Sequence, residues 1–389
     1  MKRRTFLKAG GMASAAAFLP ASTVFASTAV FPYASTASAS AAAFPSESSA
    51  SASGATHKSI GSKERKPFIK PFVGSWFEFE HHNQPEGKYW NPTMSKFTTE
   101  QWKAKIKEMH EAGLEYLVML AVAYEGKTYY PSTLQPRHDY ASDDPLEAVM
   151  EAADACGIKF FVSNDYWTDW MQVENAMKDE AIWRLREKGM EEVAEKYGHH
   201  KSFYGWYYPH ESGFNGLIDE TTISYVNRCS KIAKALTPNA LTLIAPYGTK
   251  TLRYDDNFVR QLERLDIDIM AYQDEVGVRK TIAGTAGQYY EDLYKMHAKA
   301  GRARLWADLE IFDFEGDVYR SALIPASFDR IQKQLEDISP YVEHILIYQY
   351  LGMMNRPDSQ AFAGHPNSGK LYSDYMTWLS NNENFPINH

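Results

Sequence analysis

The sequence predicts an α/β protein of the (β/α)8 TIM-barrel class. Two observations carry that expectation: short apolar runs of strand length recur between positions 72 and 350, and helix-period stretches separate them. A third removes the rival. A doubly wound open sheet needs a glycine-rich phosphate loop after its first strand, and here that position holds Glu78-Phe79-Glu80-His81-His82, which cannot cradle a pyrophosphate.

The elements follow in order. The first strand is read over 72–79 (F-V-G-S-W-F-E-F) and the first helix over 98–112, with Thr98 and Thr99 available as caps and Gly113 as its stop. Strand two covers 116–123. The helix over 144–156 has Asp144 at its N-cap, Pro145 at its first position and Gly157 past its end. Strand three covers 159–164, with a long amphipathic helix over 179–197 and Gly198 after it. Strand four covers 203–209, and the helix over 220–236 halts before Pro238. The second half repeats the rhythm: strands over 240–245, 267–272, 304–311 and 344–350, with helices over 256–265, 287–300, 326–338 and 373–380. Eight such units within residues 65–389 match the count and size of a TIM barrel.

The N-terminus reads M-K-R-R-T-F-L-K and runs into an apolar, Ala-rich stretch ending at Val24-Phe25-Ala26. Paired arginines followed by Phe-Leu-Lys predict a twin-arginine signal peptide over 1–26, and hence a periplasmic or extracellular protein. Residues 27–64 are dominated by Ser, Ala and Thr, and read as a flexible linker that buries too little to fold. No further run reaches the roughly 18–20 apolar residues of a membrane span. Cys156 and Cys229 both fall in predicted helices, so no disulfide framework is expected. A net charge of −8 offers no basic stripe, which argues against nucleic acid and anionic membranes as partners. The 25 Tyr and 9 Trp exceed what core packing alone favours and suit a surface that meets a carbohydrate.

In a TIM barrel the chemistry sits at the C-terminal ends of the strands. Reading those ends gives a ring of polar and aromatic residues. Glu211, Glu310 and Asp274 are the catalytic candidates, because glycoside hydrolysis needs two carboxyl groups, one protonated and one ionised. Trp76, Glu78, His81, Asn164, Asp165, Trp167, Tyr208, His210, Tyr247, Tyr272, Gln273, Asp308, Gln349 and Tyr350 are the substrate-binding candidates. No G-x-S-x-G nucleophile elbow occurs. No cofactor is expected, and a metal is disfavoured because adjacent residues of a strand, such as His81 and His82, point to opposite faces. The His199–His200 pair, on the far side from the mouth, reads as solvated.

At G-W-Y-Y-P-H-E, A-Y-Q-D-E-V-G and W-A-D-L-E the chain resembles an exported bacterial family of glycosidase-like TIM barrels of unknown function, over about 71–379. The resemblance implies a carbohydrate-active barrel whose site is lined by Glu211, Gln273, Asp274 and Glu310. Strands four and seven also resemble those of barrel glycosidases in which the strand-four glutamate is the acid/base and the strand-seven glutamate the nucleophile. Those families often have Asn-Glu where this chain has His210-Glu211, which leaves the role of His210 open. The expected function is an exported glycoside hydrolase acting on an oligo- or polysaccharide. The alternatives are a non-catalytic carbohydrate-binding barrel and a metal-dependent hydrolase.

Overall fold

The computed structural model describes residues 68–210 and 214–381; the predicted signal peptide, the predicted linker and Glu211 lie outside the described residues. Eight parallel strands close into a barrel: β1 (Gly74–Phe77), β2 (Tyr116–Met119), β3 (Lys159–Ser163), β4 (Phe203–Tyr207), β5 (Leu241–Ile244), β6 (Ile269–Gln273), β7 (Arg304–Glu310) and β8 (Ile345–Tyr348). Each strand pairs with the next in sequence, and β8 returns to β1 through Gly74↔Leu346 and Ser75↔Ile347. The principal helices are α1 (Thr99–Glu111), α2 (Pro145–Cys156), α3 (Glu180–Tyr197), α4 (Glu220–Leu236), α5 (Asp256–Arg264), α6 (Gly287–Ala300), α7 (Phe328–Ile338) and α8 (Ser368–Asn381).

Local chemistry sets the helix ends. Thr98 and Gln101 form a reciprocal capping box at the start of α1. Asp144 accepts the Glu147 N–H at 3.0 Å, Pro145 needs no amide partner at the first position, and Gly157 closes α2 in a left-handed conformation (φ 75°). The ladders are shorter than the apolar runs that announced them. The tail of the second run leaves the barrel altogether: Ala123–Tyr124 pairs antiparallel with Lys127–Thr128 across a tight turn at Glu125 and Gly126, both with positive φ. The last helix begins at Ser368, five residues before the predicted start.

Two apolar layers hold the barrel. Trp76, Val118, Phe161, Tyr207, Leu243, Ala271, Trp306 and Leu346, one from each strand, pack inside the ring. Their alternating neighbours, such as Phe77, Met119, Phe160, Trp206, Met270 and Ile347, pack outward against the helices. Trp167, in the loop after β3, also packs outward and lies flat on α3 at Gly189. A Cβ at Gly189 would sit 2.1 Å from the indole Cζ2. Helix propensity alone favours alanine there by about 1 kcal/mol, but the buried ring opposes it. Gly189→Ala is therefore expected to destabilise the protein by about 1–3 kcal/mol in urea unfolding; a gain in stability would show that Trp167 moves aside freely.

Candidate active site

The C-terminal mouth of the barrel gathers charge in three places. The first lies at β6 and β7. Asp308 and Glu310 alternate with the inward Trp306, so both face the barrel axis. Glu310 is 3% exposed, and its Oε2 accepts the Val278 N–H at 2.8 Å. Its own N–H donates to Asp274 Oδ1 at 3.1 Å. Asp274 is fully buried and turned toward α7, where Gln334 donates to its Oδ2 at 2.6 Å; the Val276 N–H donates to Oδ1 at 3.3 Å. Burial, and then the charge of Asp274, push the Glu310 carboxyl well above the usual carboxylate range. Burial raises Asp274 too, against the pull of its donors. The link between the two is the Glu310 backbone N–H, and the Asp274 charge one residue layer behind raises the proton affinity of Glu310.

The loops over this pair carry backbone strain. Glu275 (φ 57°), Arg279 (φ 61°) and Tyr319 (φ 63°) all occupy the left-handed region without being glycine. Between them, Lys280 reaches back to Glu275 Oε1 at 3.3 Å and lies over the half-buried Tyr247 ring at 4.7 Å. Gln273, at the end of β6, donates to the Ala245 carbonyl at 3.0 Å.

The second cluster joins β1 to β8. Glu78 receives His81 Nδ1 at 2.9 Å, Trp90 Nε1 at 3.3 Å and the Tyr348 hydroxyl at 3.3 Å, together with Gln349 Nε2. His81 Nε2 lies 2.9 Å from Glu86 Oε2. Burial opposes a charge on His81, but the two carboxylates carry its pKa up to about 10, while the His81 cation holds Glu78 below the usual range despite burial. His82 answers the other way: burial and the neighbouring cation push it down to about 3. The rings of His81 and His82 lie 4.9 Å apart. The expectation that they diverge fails because β1 ends at Phe77, and a bend carries no strand alternation.

The third cluster joins β3 to β4. Asp165, fully buried, binds Arg186 Nε of α3 and lies 2.9 Å from His210 Nε2. Burial would raise the Asp165 carboxyl, but the guanidinium and the imidazole hold it well below its usual range. His210, the residue before Glu211, is thereby oriented from behind.

Several predicted contacts do not face the mouth. Trp76 fills the barrel interior, edge-on to Tyr207 at 5.8 Å. Asn164, Tyr208 and Tyr272 point outward, being one position out of phase with the inward residues of their strands. Asn164 donates to Cys229 Sγ at 3.2 Å, Tyr208 meets Ser230 Oγ at 3.1 Å, and Tyr272 meets His297 Nε2 at 3.0 Å. Trp167 belongs to the packing on α3, and Tyr350 donates to Glu108 of α1 at 2.8 Å. His200 is buried between Asp154 (2.9 Å) and Glu147 (3.3 Å), so it is not the solvated group expected. Conversely, Glu86, Arg186, Lys280 and Gln334 escaped sequence reasoning. Arg186 alone left a signal, a charge on the apolar stripe Trp183–Met190–Val193 of its helix.

The raised carboxyl at Glu310 has a sign that can be tested. The folded state favours its proton, so the stabilisation is fully present below the ordinary glutamate value of 4.5 and is lost as pH rises through the raised folded value. Glu310→Gln cannot ionise. Its melting temperature should gain on that of wild type as pH increases from 5 to 9, at about 2–4 °C per kcal/mol; a difference independent of pH would rule out the raised carboxyl at Glu310.

Comparison with solved structures places the fold. A candidate alpha-L-fucosidase from Bacteroides thetaiotaomicron matches with a TM-score of 0.59 at 17% identity, covering 84% of this chain and 99% of its own. An endo-1,4-beta-mannanase from Rhizomucor miehei matches with a TM-score of 0.51 at 10% identity, covering 80% of this chain and 95% of its own. At such identities the likeness is one of fold. A comparison with curated proteins finds no match. Residues 72–361 match the model of one family, and the chain belongs to it: the domain of unknown function DUF4434, here a closed glycosidase-like TIM barrel.

Proposed function

We propose that this protein is an exported glycoside hydrolase that cleaves an oligo- or polysaccharide with Glu211 and Glu310 as its carboxyl pair. The observation that carries this reading is the state of Glu310: an axis-facing carboxyl at the end of β7 with a raised proton affinity, backed by a second carboxyl at Asp274. Glycosidic cleavage needs one group to give a proton to the departing oxygen and another that is ionised. With Glu211 as the ionised partner, the proton-giving side falls to Glu310, whose raised carboxyl keeps its proton. Asp308 and Gln273 beside it, and Tyr247 and Lys280 above it, are the groups that meet the sugar. The fucosidase-like and mannanase structures that share the fold support a carbohydrate as substrate.

Glu211→Gln and Glu310→Gln are each expected to lower kcat on a responsive glycan by about 10²–10⁴-fold, with the circular dichroism spectrum and sugar binding retained. Hydrolysis unaffected by either change would sink the assignment. Sugar binding by wild type without hydrolysis of any glycan would leave a carbohydrate-binding barrel. Export is the second part of the proposal and rests on Arg3 and Arg4. Replacing both with lysine should strand the protein in the cytoplasm on fractionation, and continued export of that variant would assign the segment to another route.

A further inference from the structure

We infer that Glu78, His81 and His82 form a divalent-cation site at the β1 side of the barrel mouth, with Glu86 behind it. One ligand atom from each of the three residues lies within 4.8 Å of the others. Tetrahedral ligands held at about 2.1 Å from a zinc ion stand roughly 3.4 Å apart. The His81 Nδ1–Glu78 Oε1 pair stands at a hydrogen-bonded 2.9 Å, so it must open by about 0.5 Å while the His82 ring closes in.

The ligands are held in place, and an ion binding at His81 Nδ1 would displace the proton now directed at Glu78. Nδ1 of His82 is buried and has no hydrogen-bond partner, so one ring nitrogen of the group stands unused. The Trp170 ring, edge-on at 4.3 Å, walls the imidazole on its outer side. His81 presents Nδ1 to Glu78 and Nε2 to Glu86 at 2.9 Å, and Glu86 Oε1 is in turn held by Asn83 Nδ2 at 2.5 Å. A carboxylate that fixes the far nitrogen of a histidine is what orients a metal-binding imidazole. Trp90 and Gln349 hold Glu78 in place from the other side. The Tyr348 hydroxyl, 3.0 Å from His81 Nδ1, lies next to the site in the mouth. Two imidazoles and one carboxylate suit zinc above calcium or magnesium, and three protein ligands leave a coordination position for water or a sugar hydroxyl.

A second grouping, Glu147, His199 and His200, meets the same spacing. It carries no such proposal. His199 is exposed, and no buried ring nitrogen there stands without a partner as Nδ1 of His82 does.

The test is metal binding by the full chain, read without any activity assay. Zn²⁺ titrated into chelator-treated protein should bind with one equivalent, and Co²⁺ should give the visible bands of a tetrahedral site. His82→Ala should weaken Zn²⁺ at least 100-fold and abolish the Co²⁺ bands. Glu86→Gln keeps all three ligands and should weaken Zn²⁺ by about 10–100-fold; His199→Ala should change nothing. Thermal melts establish that each variant is folded, and His82→Gln replaces His82→Ala if the smaller side chain disturbs the loop. Absence of Zn²⁺ uptake by wild type, uptake unchanged in folded His82 variants, or loss of uptake in His199→Ala would each overturn the site. Since hydrolysis is not the readout, failure here leaves the carboxyl-pair proposal standing, and failure of that proposal leaves this one.

Discussion

A carboxylate brought to the mouth of a closed barrel and shut off from water has two outcomes: it finds a cation or a set of donors, or it takes up a proton. This protein uses both at one face. Asp165 takes the first course through Arg186 and His210, and Glu78 through His81. Glu310 and Asp274 lean to the second, because burial, and for Glu310 the charge of Asp274, outweigh the pull of Arg330 and of the donors around them. The difference between a structural carboxylate and a reactive one is therefore written in what stands behind each: guanidinium and imidazole in one case, another carboxyl and a glutamine in the other.

The same contacts tie the ring together. Glu78 to Gln349 and Tyr348 spans the junction of the first and last units, and Lys105 of α1 repeats the link lower down through Glu108 and Asn355 at 2.8 Å each. Asp165 and Arg186 with His210 span units three and four, and Asp274 with Gln334 and the Glu310 backbone spans six and seven. Backbone ladders alone leave neighbouring strands able to slip in register. A buried polar contact between two units has one register in which all partners are satisfied, so these clusters fix the geometry that the apolar layers merely fill.

The architecture was legible from periodicity and punctuation. Asp144, Pro145 and Gly157 bracket α2 as their conformational preferences demand, and the run from Glu220 to the residue before Thr237 coincides with α4. Legibility weakens at the mouth. An inward and an outward residue at a strand end differ by one position, and no composition signal separates Tyr207, which faces the axis, from Tyr208, which faces α4. Counter-ions were the least visible, because Arg186 lies 21 residues from Asp165 and only the fold brings them together. His81 and His82 were misjudged by a rule valid inside strands and void four residues past the end of one.

The Arg186–Asp165–His210 cluster also bears on how such a barrel can be recombined. Two members come from the third unit and one from the fourth, and all three are buried. A chimera assembled from two homologous barrels with its crossover between α3 and β4 would inherit the ion pair from one parent and the histidine from the other. The imidazole leading into Glu211 would then keep its anchor at Asp165 only where the two parents agree at both positions. A crossover after α4 keeps the whole group in one parental piece, though it must then match the buried Gln261 amide that holds the Ile218 backbone.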